Sequence, residues 1–344
     1  MKLKIKIKQT KDGFRYGEIE YEGIKETLPK QVITTTDLNR LDKLKSNLSL
    51  NSKLLEVLSF TNLNKLLNNK DLRSKLIKDK KEEFSKLSKI NISFFLPEIS
   101  RNHNLNLRQV KLLINLQIVL GFKLVRLFIT KNGLTNKEIK SLLKKYSKRK
   151  DIQIIPSIYT NIGFKKFNDL ITIIKQYPII SFIDGGKKSI LLKIAEEEFN
   201  ENLLIFSKVY PHTRNKRVSK PTLYYRLGVA DCYSFLTTRG NPNVPTDNIL
   251  IFDKTALNSK LIEDIGNNIL SPLNKSKTIL QHSQELSDLK ISSYPSSVYR
   301  TLSLNEFFDL IYNKSLNQEE ILPLLESYPD LIEEYNLIIK KSIK

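Results

Sequence analysis

The chain has 344 residues, of which 40% are apolar and 9% aromatic, so it can bury a large core and is not an intrinsically disordered protein. Lys and Arg number 57 against 36 Asp and Glu, and the net charge of +21 favours nucleic acid, either tRNA or DNA, as a partner. One cysteine and three histidines argue against a disulfide, a zinc site or an iron–sulfur cluster, so we predict neither a metal nor a cofactor. No apolar run approaches the roughly 18 residues of a membrane span, which predicts a cytoplasmic protein.

The positive charge is distributed unevenly. Residues 101–150 hold 13 basic residues and a single acid, Glu138, whereas residues 301–344 are net acidic. Two clusters are candidates for binding phosphates: Lys144, Lys145, Lys148 and Arg149 in the first, and Arg214, Lys216 and Arg217 in the second. The alternative for each cluster is a solvated helix face or loop.

The first 90 residues divide into two regions. Residues 1–36 alternate apolar and polar side chains around an Asp12-Gly13 turn signal, which predicts a β-hairpin, and Gln31–Thr35 reads as a further short strand. Residues 37–90 place leucines at helical spacing and are predicted to form a helical insertion of short helices.

Residues 91–256 alternate short apolar runs with amphipathic stretches, which predicts a parallel sheet covered by helices. With Gln31–Thr35 the runs number about eight, so the predicted fold class is α/β, a TIM-like (β/α)8 barrel with an N-terminal hairpin and helical additions. An open doubly wound sheet is the alternative. No GxGxxG or GxxxxGK[ST] motif follows these runs. Residues 257–344 are predicted to form a C-terminal helical region.

In a parallel barrel the chemistry lies at the carboxyl ends of the strands. Asp184 closes one apolar run and is followed by Gly185 and Gly186, whose backbone amides can approach a ligand closely. The alternative is that Asp184 caps the next helix.

Two segments resemble the tRNA-guanine transglycosylase superfamily. Residues 227–239, LGVADCYSFLTTR, are similar to that family's active-site strand, which reads approximately G-[VI]-D-x-F-D-C-x-x-P-T-R, and Lys220-Pro221 lies upstream as it does there. Residues 17–29, GEIEYEGIKETLP, resemble its entry hairpin, with one extra residue before the proline. The CxCxxC…H zinc motif of the family is absent.

The resemblance implies base exchange through a covalent glycosyl-enzyme. A carboxylate attacks C1′ of a nucleotide, guanine leaves, and a 7-deazaguanine takes its place. A gap-free alignment places the family's nucleophile on Tyr233, and a register shift of two residues makes Asp231 the candidate nucleophile. Asp184 is then the second catalytic acid. Base contacts fall to Gly185, Gly186 and Tyr233, and Arg239 joins the basic residues that bind phosphates.

Two other functions fit the sequence. One is a non-catalytic RNA- or DNA-binding protein that uses the basic clusters alone. The other is a barrel enzyme for a small phosphorylated substrate, with Arg214 and the Gly185-Gly186 amides as phosphate donors. The sequence does not distinguish tRNA from DNA, identify the base or decide the oligomeric state.

Overall fold

A computed structural model describes residues 2–43 except 12, 52–59, 63–97, 104–183, 188–209 except 198, 229–235, 250–253, 258–261, 305, 308–319 and 321. Its strands are β1 (Leu3–Gln9), β2 (Arg15–Tyr21), β3 (Ile24–Leu28), β4 (Lys30–Gln31), β5 (Ile33–Thr34), β6 (Leu54–Ser59), β7 (Ile92–Pro97), β8 (Leu124–Ile129), β9 (Gln153–Tyr159), β10 (Ile179–Ile183), β11 (Leu203–Val209), β12 (Cys232–Phe235), β13 (Leu250–Asp253) and β14 (Asn258–Leu261). Its helices are α1 (Thr35–Lys43), α2 (Leu63–Asn68), α3 (Lys70–Ile90), α4 (Leu107–Val119), α5 (Asn136–Ser147), α6 (Phe164–Ile174) and α7 (Lys188–Glu196), and residues 308–316 are also helical.

Strands β1, β2 and β3 form an antiparallel sheet in that order. Lysines alternate with apolar residues along β1, so the lysines are exposed while Leu3, Ile5 and Ile7 pack against the core. Backbone hydrogen bonds between Thr10 and Phe14 and between Gly13 and Thr10 close the β1–β2 turn. The predicted hairpin is confirmed, and β3 is an additional strand that the sequence pattern does not reveal.

Two parallel sheets contain most of the remaining strands. The larger has the order β4-β12-β11-β10-β9-β8 and the smaller the order β5-β6-β7. β4 and β5 flank Val32; β4 pairs with β12 and β5 pairs with β6, so residues 30–34 link one edge of each sheet. At the other edges β7 and β8 lie side by side. No ladder joins these two strands in the described chain, and neither sheet closes.

A glutamine side chain takes the place of a strand partner at the edge of β8. Gln117 of α4 is fully buried; its Oε1 accepts from the Arg126 N–H and its Nε2 donates to the Arg126 carbonyl, both at 2.8 Å. These are the backbone groups that a neighbouring strand would bind. Gln117 therefore lets β8 bury this edge without leaving unpaired backbone groups.

The strands bury both of their faces. On the outer faces, residues such as Val125, Leu127 and Ile129 of β8 pack in one large cluster with the helices. The alternate residues form a second cluster between the two parallel sheets, on what we call their inner faces, together with the antiparallel sheet: Ile19, Tyr21, Leu28, Val32, Leu54, Ile92, Phe94, Leu124, Ile155, Ile179, Leu203, Ile205 and Cys232. Several of these are the first residues of their strands, so the antiparallel sheet covers the amino ends of the parallel strands.

The α/β class with parallel strands and covering helices is confirmed, but two local predictions are wrong. Within region 37–90, residues Leu54–Ser59 form strand β6, because a short leucine-rich run suits a buried strand as well as a helix. The run 249–254, predicted to lie in the main sheet, contains β13, which pairs antiparallel with β14. β14 in turn lies inside region 257–344, which is predicted to be helical, while residues 308–316 are helical as predicted.

Candidate functional site

A carboxylate and a guanidinium lie buried between the inner faces of the two parallel sheets. Arg126 Nη1 donates to Glu56 Oε1 at 2.6 Å, and neither side chain is more than 1% exposed. The Ser207 hydroxyl donates to the same oxygen and the Ser234 hydroxyl to Glu56 Oε2, both at 2.6 Å. Strands β6, β8, β11 and β12 therefore meet at one set of side chains, which we call the inner cluster: Glu56, Arg126, Ser207 and Ser234.

The inner cluster holds two opposite charges in the interior because each is compensated. A lone buried ion costs several kcal/mol, whereas Glu56 receives three hydrogen bonds, one of them from its counter-ion. Arg126 Nη2 donates to Ser207 Oγ at 2.9 Å, and the guanidinium carbon lies 5.5 Å from the centre of the Phe94 ring. The cluster is thus a neutral group of mutually oriented side chains.

Two buried polar atoms on the inner faces have no hydrogen-bond partner among the described residues, Arg126 Nε and Ser181 Oγ. Ser181 lies in β10 and is paired with Ile205 of β11, two positions before Ser207. Buried polar atoms almost always have a partner. A water molecule or a polar group of a ligand that reaches the inner faces can therefore bind here.

The hydroxyl side of the inner cluster lies near the carboxyl ends of the parallel strands. Ser207 pairs with Ile183, the last residue of β10, and Ile183 pairs with Tyr159, the last residue of β9. This is the end at which parallel α/β proteins place their binding sites.

Most of the residues predicted for catalysis and phosphate binding at this end lie outside the described residues, so their roles stay predictions: Asp184, Gly185, Gly186, Arg214, Lys216, Arg217 and Arg239.

Asp231, the candidate nucleophile, forms a buried ion pair with Arg15 of β2. Arg15 Nε and Nη2 donate to the two carboxylate oxygens, each at 2.9 Å, and the Leu204 N–H donates to Oδ2 at 2.8 Å. Arg15 also donates to the carbonyls of Phe199 and Asn202. Asp231 is fully buried at the start of β12, the end that the antiparallel sheet covers. Its contacts are those of a structural residue that attaches this sheet to the larger parallel sheet, and its role as nucleophile stays a prediction that they do not favour.

Tyr233, the candidate base-binding residue, lies on the outer face of β12. Its ring stacks on Phe308 with 5.9 Å between ring centres, and its hydroxyl donates to the Ala230 carbonyl at 3.3 Å. The inner face of β12 is instead formed by Cys232 and Ser234. The expectation that residues 231 and 233 face the interior therefore differs from the structure, because alternation alone does not say which face is inside. Burial raises the pKa of the Cys232 thiol well above its usual value.

Helix α5 carries the first basic cluster on its exposed face. It begins with a capping box in which Thr135 and Glu138 bind each other's backbone N–H, and these bonds lower the pKa of Glu138. Its apolar residues Ile139, Leu142, Leu143 and Tyr146 are buried. The remaining positions point outward, and the exposed basic residues of α5 and the turn after it are Lys137, Lys140, Lys144, Lys145, Lys148, Arg149 and Lys150.

Members of this basic cluster differ in how free they are. Arg149 binds Asp151 through two hydrogen bonds of 3.0 and 2.5 Å, which raise the pKa of Arg149 and lower that of Asp151. No ion pair joins Lys144 or Lys148 to another residue in the described ranges. These lysines are therefore available to a polyanion, whereas Arg149 must first leave Asp151.

The basic cluster and the inner cluster lie at opposite ends of the parallel strands. α5 ends at Ser147 and β9 begins at Gln153, so residues 148–152 stand at the amino end of β9. The serine hydroxyls of the inner cluster stand near the carboxyl ends. A ligand that contacts both must extend along α5, which is about 18 Å long at 1.5 Å per residue.

Comparisons with known proteins give no further assignment: no family model matches the chain, and no curated protein matches it. The resemblance of residues 17–29 and 227–239 to the transglycosylase superfamily therefore stays a prediction.

The described residues contain no group of three or more His, Cys, Asp and Glu side chains arranged to hold a metal ion. Within the same ranges, no helix has the length and apolar character needed to cross a membrane.

Sequence reasoning missed the inner cluster, although a signal for it is present. Glu56 stands inside the apolar run LLEVLS and Arg126 inside LVRLFI, so each is a lone charge within a strand that is otherwise apolar. Charges in such runs are buried only when paired. Two opposite charges of this kind predict an ion pair, but the sequence does not show that their strands face each other.

We expect Glu56→Gln to lower the free energy of unfolding by about 3–5 kcal/mol, because Arg126 would stay buried without its counter-ion. Chemical denaturation followed by circular dichroism measures this loss. The double variant Glu56→Gln, Arg126→Met should recover much of it, since no unpaired charge is left. A single variant as stable as the wild type would contradict the burial of this pair.

We expect Asp231→Asn to cost about 3–5 kcal/mol of stability as well, because it leaves the Arg15 guanidinium uncompensated. Asp151→Asn is the matched control: it removes an aspartate that binds an arginine through two hydrogen bonds, but at the surface. Its effect on the free energy of unfolding should be much smaller, because solvent screens exposed pairs. Equal losses in the two variants would argue against a structural role for Asp231.

Proposed function

We propose that the protein is a nucleic-acid-binding (β/α)8-type barrel, related to the tRNA-guanine transglycosylase superfamily, that exchanges guanine for a 7-deazaguanine in tRNA or DNA. The observation that carries the binding part of this proposal is the unpaired lysine face of α5. The exchange chemistry rests on the sequence resemblance.

The strand connections support a barrel. Residues 30–34, followed by β6 to β12 in chain order, make eight parallel segments, each next to its successor, and β12 returns to pair with β4. The only neighbours without a ladder in the described chain are β7 and β8, where Gln117 binds the exposed backbone. Contacts from Glu56 to residues on β8, β11 and β12 cross an interior, as they would in a barrel.

The lysine face of α5 supports binding to a phosphate backbone. Lys137, Lys140, Lys144 and Lys148 are spaced by three, four and four residues, so they form one stripe along the helix. Each is exposed, and the acid nearest to them in the sequence, Glu138, is held by the cap at Thr135. Lysines arranged in this way displace counterions from several phosphates at once.

Helix α3 shows that this arrangement is not a general consequence of lysine-rich composition. α3 carries eight basic residues, but it also carries four acids and forms the ion pairs Lys80–Glu83 and Lys86–Glu82. α5 and the turn after it carry seven basic residues and one acid over residues 136–150. The two helices therefore offer a test in which lysine number is similar and charge balance differs.

The exchange chemistry is proposed for the carboxyl ends of the strands. The segment that resembles the family's active-site strand forms β12, between β11 and β4, and its Ser234 belongs to the inner cluster. Asp184 follows Ile183, the last residue of β10, directly in the sequence. In the proposed reaction a carboxylate attacks C1′, guanine departs with a proton, and the incoming base displaces the carboxylate.

One observation favours a second candidate, a non-catalytic nucleic-acid-binding protein. The carboxylate oxygens of Asp231 are occupied by Arg15 and the Leu204 N–H, and the residue is fully buried. A nucleophile must reach C1′ of a nucleotide, and this geometry gives Asp231 no such access. The binding proposal is unaffected, because α5 lies elsewhere.

We expect Lys140→Gln, Lys144→Gln and Lys148→Gln, combined, to weaken binding to duplex DNA and tRNA. The slope of log K against log salt should fall by about 0.9 for each phosphate of duplex DNA that the variant no longer neutralises. Fluorescence anisotropy at a series of salt concentrations measures both quantities. The control is Lys75→Gln, Lys78→Gln and Lys81→Gln on α3, which removes the same charge from exposed positions. Equal effects of the two triple variants would show that net charge, and not the α5 face, governs binding.

Incorporation of labelled guanine into tRNA and duplex DNA tests the exchange reaction. We expect the wild type to incorporate label and Asp184→Asn to lose this activity while keeping its salt-dependent binding. Asp231→Asn should retain incorporation under conditions where it is folded, if Asp231 is structural. Binding without incorporation by the wild type would reject base exchange and leave the non-catalytic function.

A further inference from the structure

A cavity of about 280 Å³ lies at the amino ends of β7 and β8, where the ladder between the two parallel sheets is interrupted. It is bounded by the last turn of α3, by the end of β2, and by the residues that lead into β8. Ile24 and Leu124 supply its apolar wall. The cavity is separate from the inner cluster, whose hydroxyls lie near the carboxyl ends of the strands.

Two hydroxyl groups of the cavity wall lack hydrogen-bond partners. Tyr21 is 4% exposed, and its hydroxyl binds no group in the described parts of the chain; the same holds for the buried Ser88 Oγ. Burial and the neighbouring Glu22 raise the pKa of Tyr21 to about 12, so this hydroxyl keeps its proton and can donate it in a hydrogen bond. Buried hydroxyls without partners are rare, and they indicate that another molecule completes the site.

The charged groups around the cavity favour an anion. Lys89 and Lys123 are exposed and line it, whereas Glu22, the one carboxylate in its wall, accepts a hydrogen bond from the backbone N–H of Lys2. The carboxyl end of α3 by itself disfavours an anion, but Lys89 stands in that last turn and offsets the helix dipole. Two flexible cations above hydroxyl donors suit a group with several acceptor oxygens.

We propose that this cavity binds the phosphate group of a phosphorylated compound, with the Tyr21 and Ser88 hydroxyls donating to its oxygens and Lys89 and Lys123 balancing its charge. The volume fits a small ligand of sugar phosphate size, whose carbon skeleton would lie against Ile24 and Leu124. A terminal phosphate of a nucleic acid presents the same chemistry. The site is additional to the α5 lysine face and does not depend on base exchange.

Isothermal titration calorimetry of the full chain with ribose 5-phosphate, inorganic phosphate and ribose tests the proposal. We expect the two phosphates to bind and ribose not to bind. Tyr21→Phe combined with Ser88→Ala should weaken phosphate binding about tenfold, the loss expected for hydrogen bonds to a charged group. The free energy of unfolding should be unchanged or higher in this variant, because neither hydroxyl loses a protein partner. That combination distinguishes a binding role from a structural one.

Further measurements identify the source of the phosphate and the outcome that rejects the site. Lys89→Gln with Lys123→Gln should also weaken binding, whereas Lys75→Gln with Lys78→Gln, farther from the cavity on α3, should not. Tighter binding of a 5′-phosphorylated oligonucleotide than of its 5′-hydroxyl form, lost in Tyr21→Phe, would assign the phosphate to a nucleic-acid end. Equal binding of the two oligonucleotides, with ribose 5-phosphate bound, would assign it to a small compound. No binding of any phosphate, or binding unchanged by Tyr21→Phe with Ser88→Ala, would overturn the proposal.

Discussion

The buried ion pair between Glu56 and Arg126 is the interaction on which the arrangement of the two parallel sheets depends. The edge strands β7 and β8 share no ladder in the described chain, so backbone hydrogen bonds do not set their relative position there. Apolar side chains alone would tolerate sliding, whereas a displaced Glu56 leaves the guanidinium of Arg126 buried and unpaired. Gln117 performs the complementary task at the backbone. One polar residue on each of three elements thus replaces a run of strand pairing.

The molecule separates its polar features between its two ends. At the amino ends of the strands lie the antiparallel sheet, the Arg15–Asp231 pair, the cavity beside Tyr21, and the lysines that follow α5. Near the carboxyl ends lie the serine hydroxyls of the inner cluster. An extended polyanion along α5 could span this distance, while a small anion at Tyr21 could not. Phosphate recognition and any chemistry on the inner faces are therefore separable functions of the same fold.

The amino-acid sequence predicts local features of this protein better than it predicts which face of a strand is buried. The α5 capping box and the lysine stripe can be derived from the spacing of Thr135, Glu138 and the lysines, because helix geometry is local. The pattern predicts helix where β6 lies, since six residues of which four are leucine or valine fit either period. Asp231 resembles a catalytic acid in the sequence because its partner, Arg15, lies in a different sheet. Long-range pairing of this kind has no signature in one sequence beyond a charge in an apolar setting.

The ion pair of Arg15 with Asp231 joins residues 216 positions apart, and β4 likewise waits for β12. On the ribosome, the antiparallel sheet and residues 30–34 emerge long before their partners are synthesised. At about 5–20 residues per second this delay lasts roughly 10–40 s. During translation the guanidinium of Arg15 and the edge of β4 have no native partner. The lysines that alternate along β1 then act as protection, because charged edge strands resist pairing with other nascent chains.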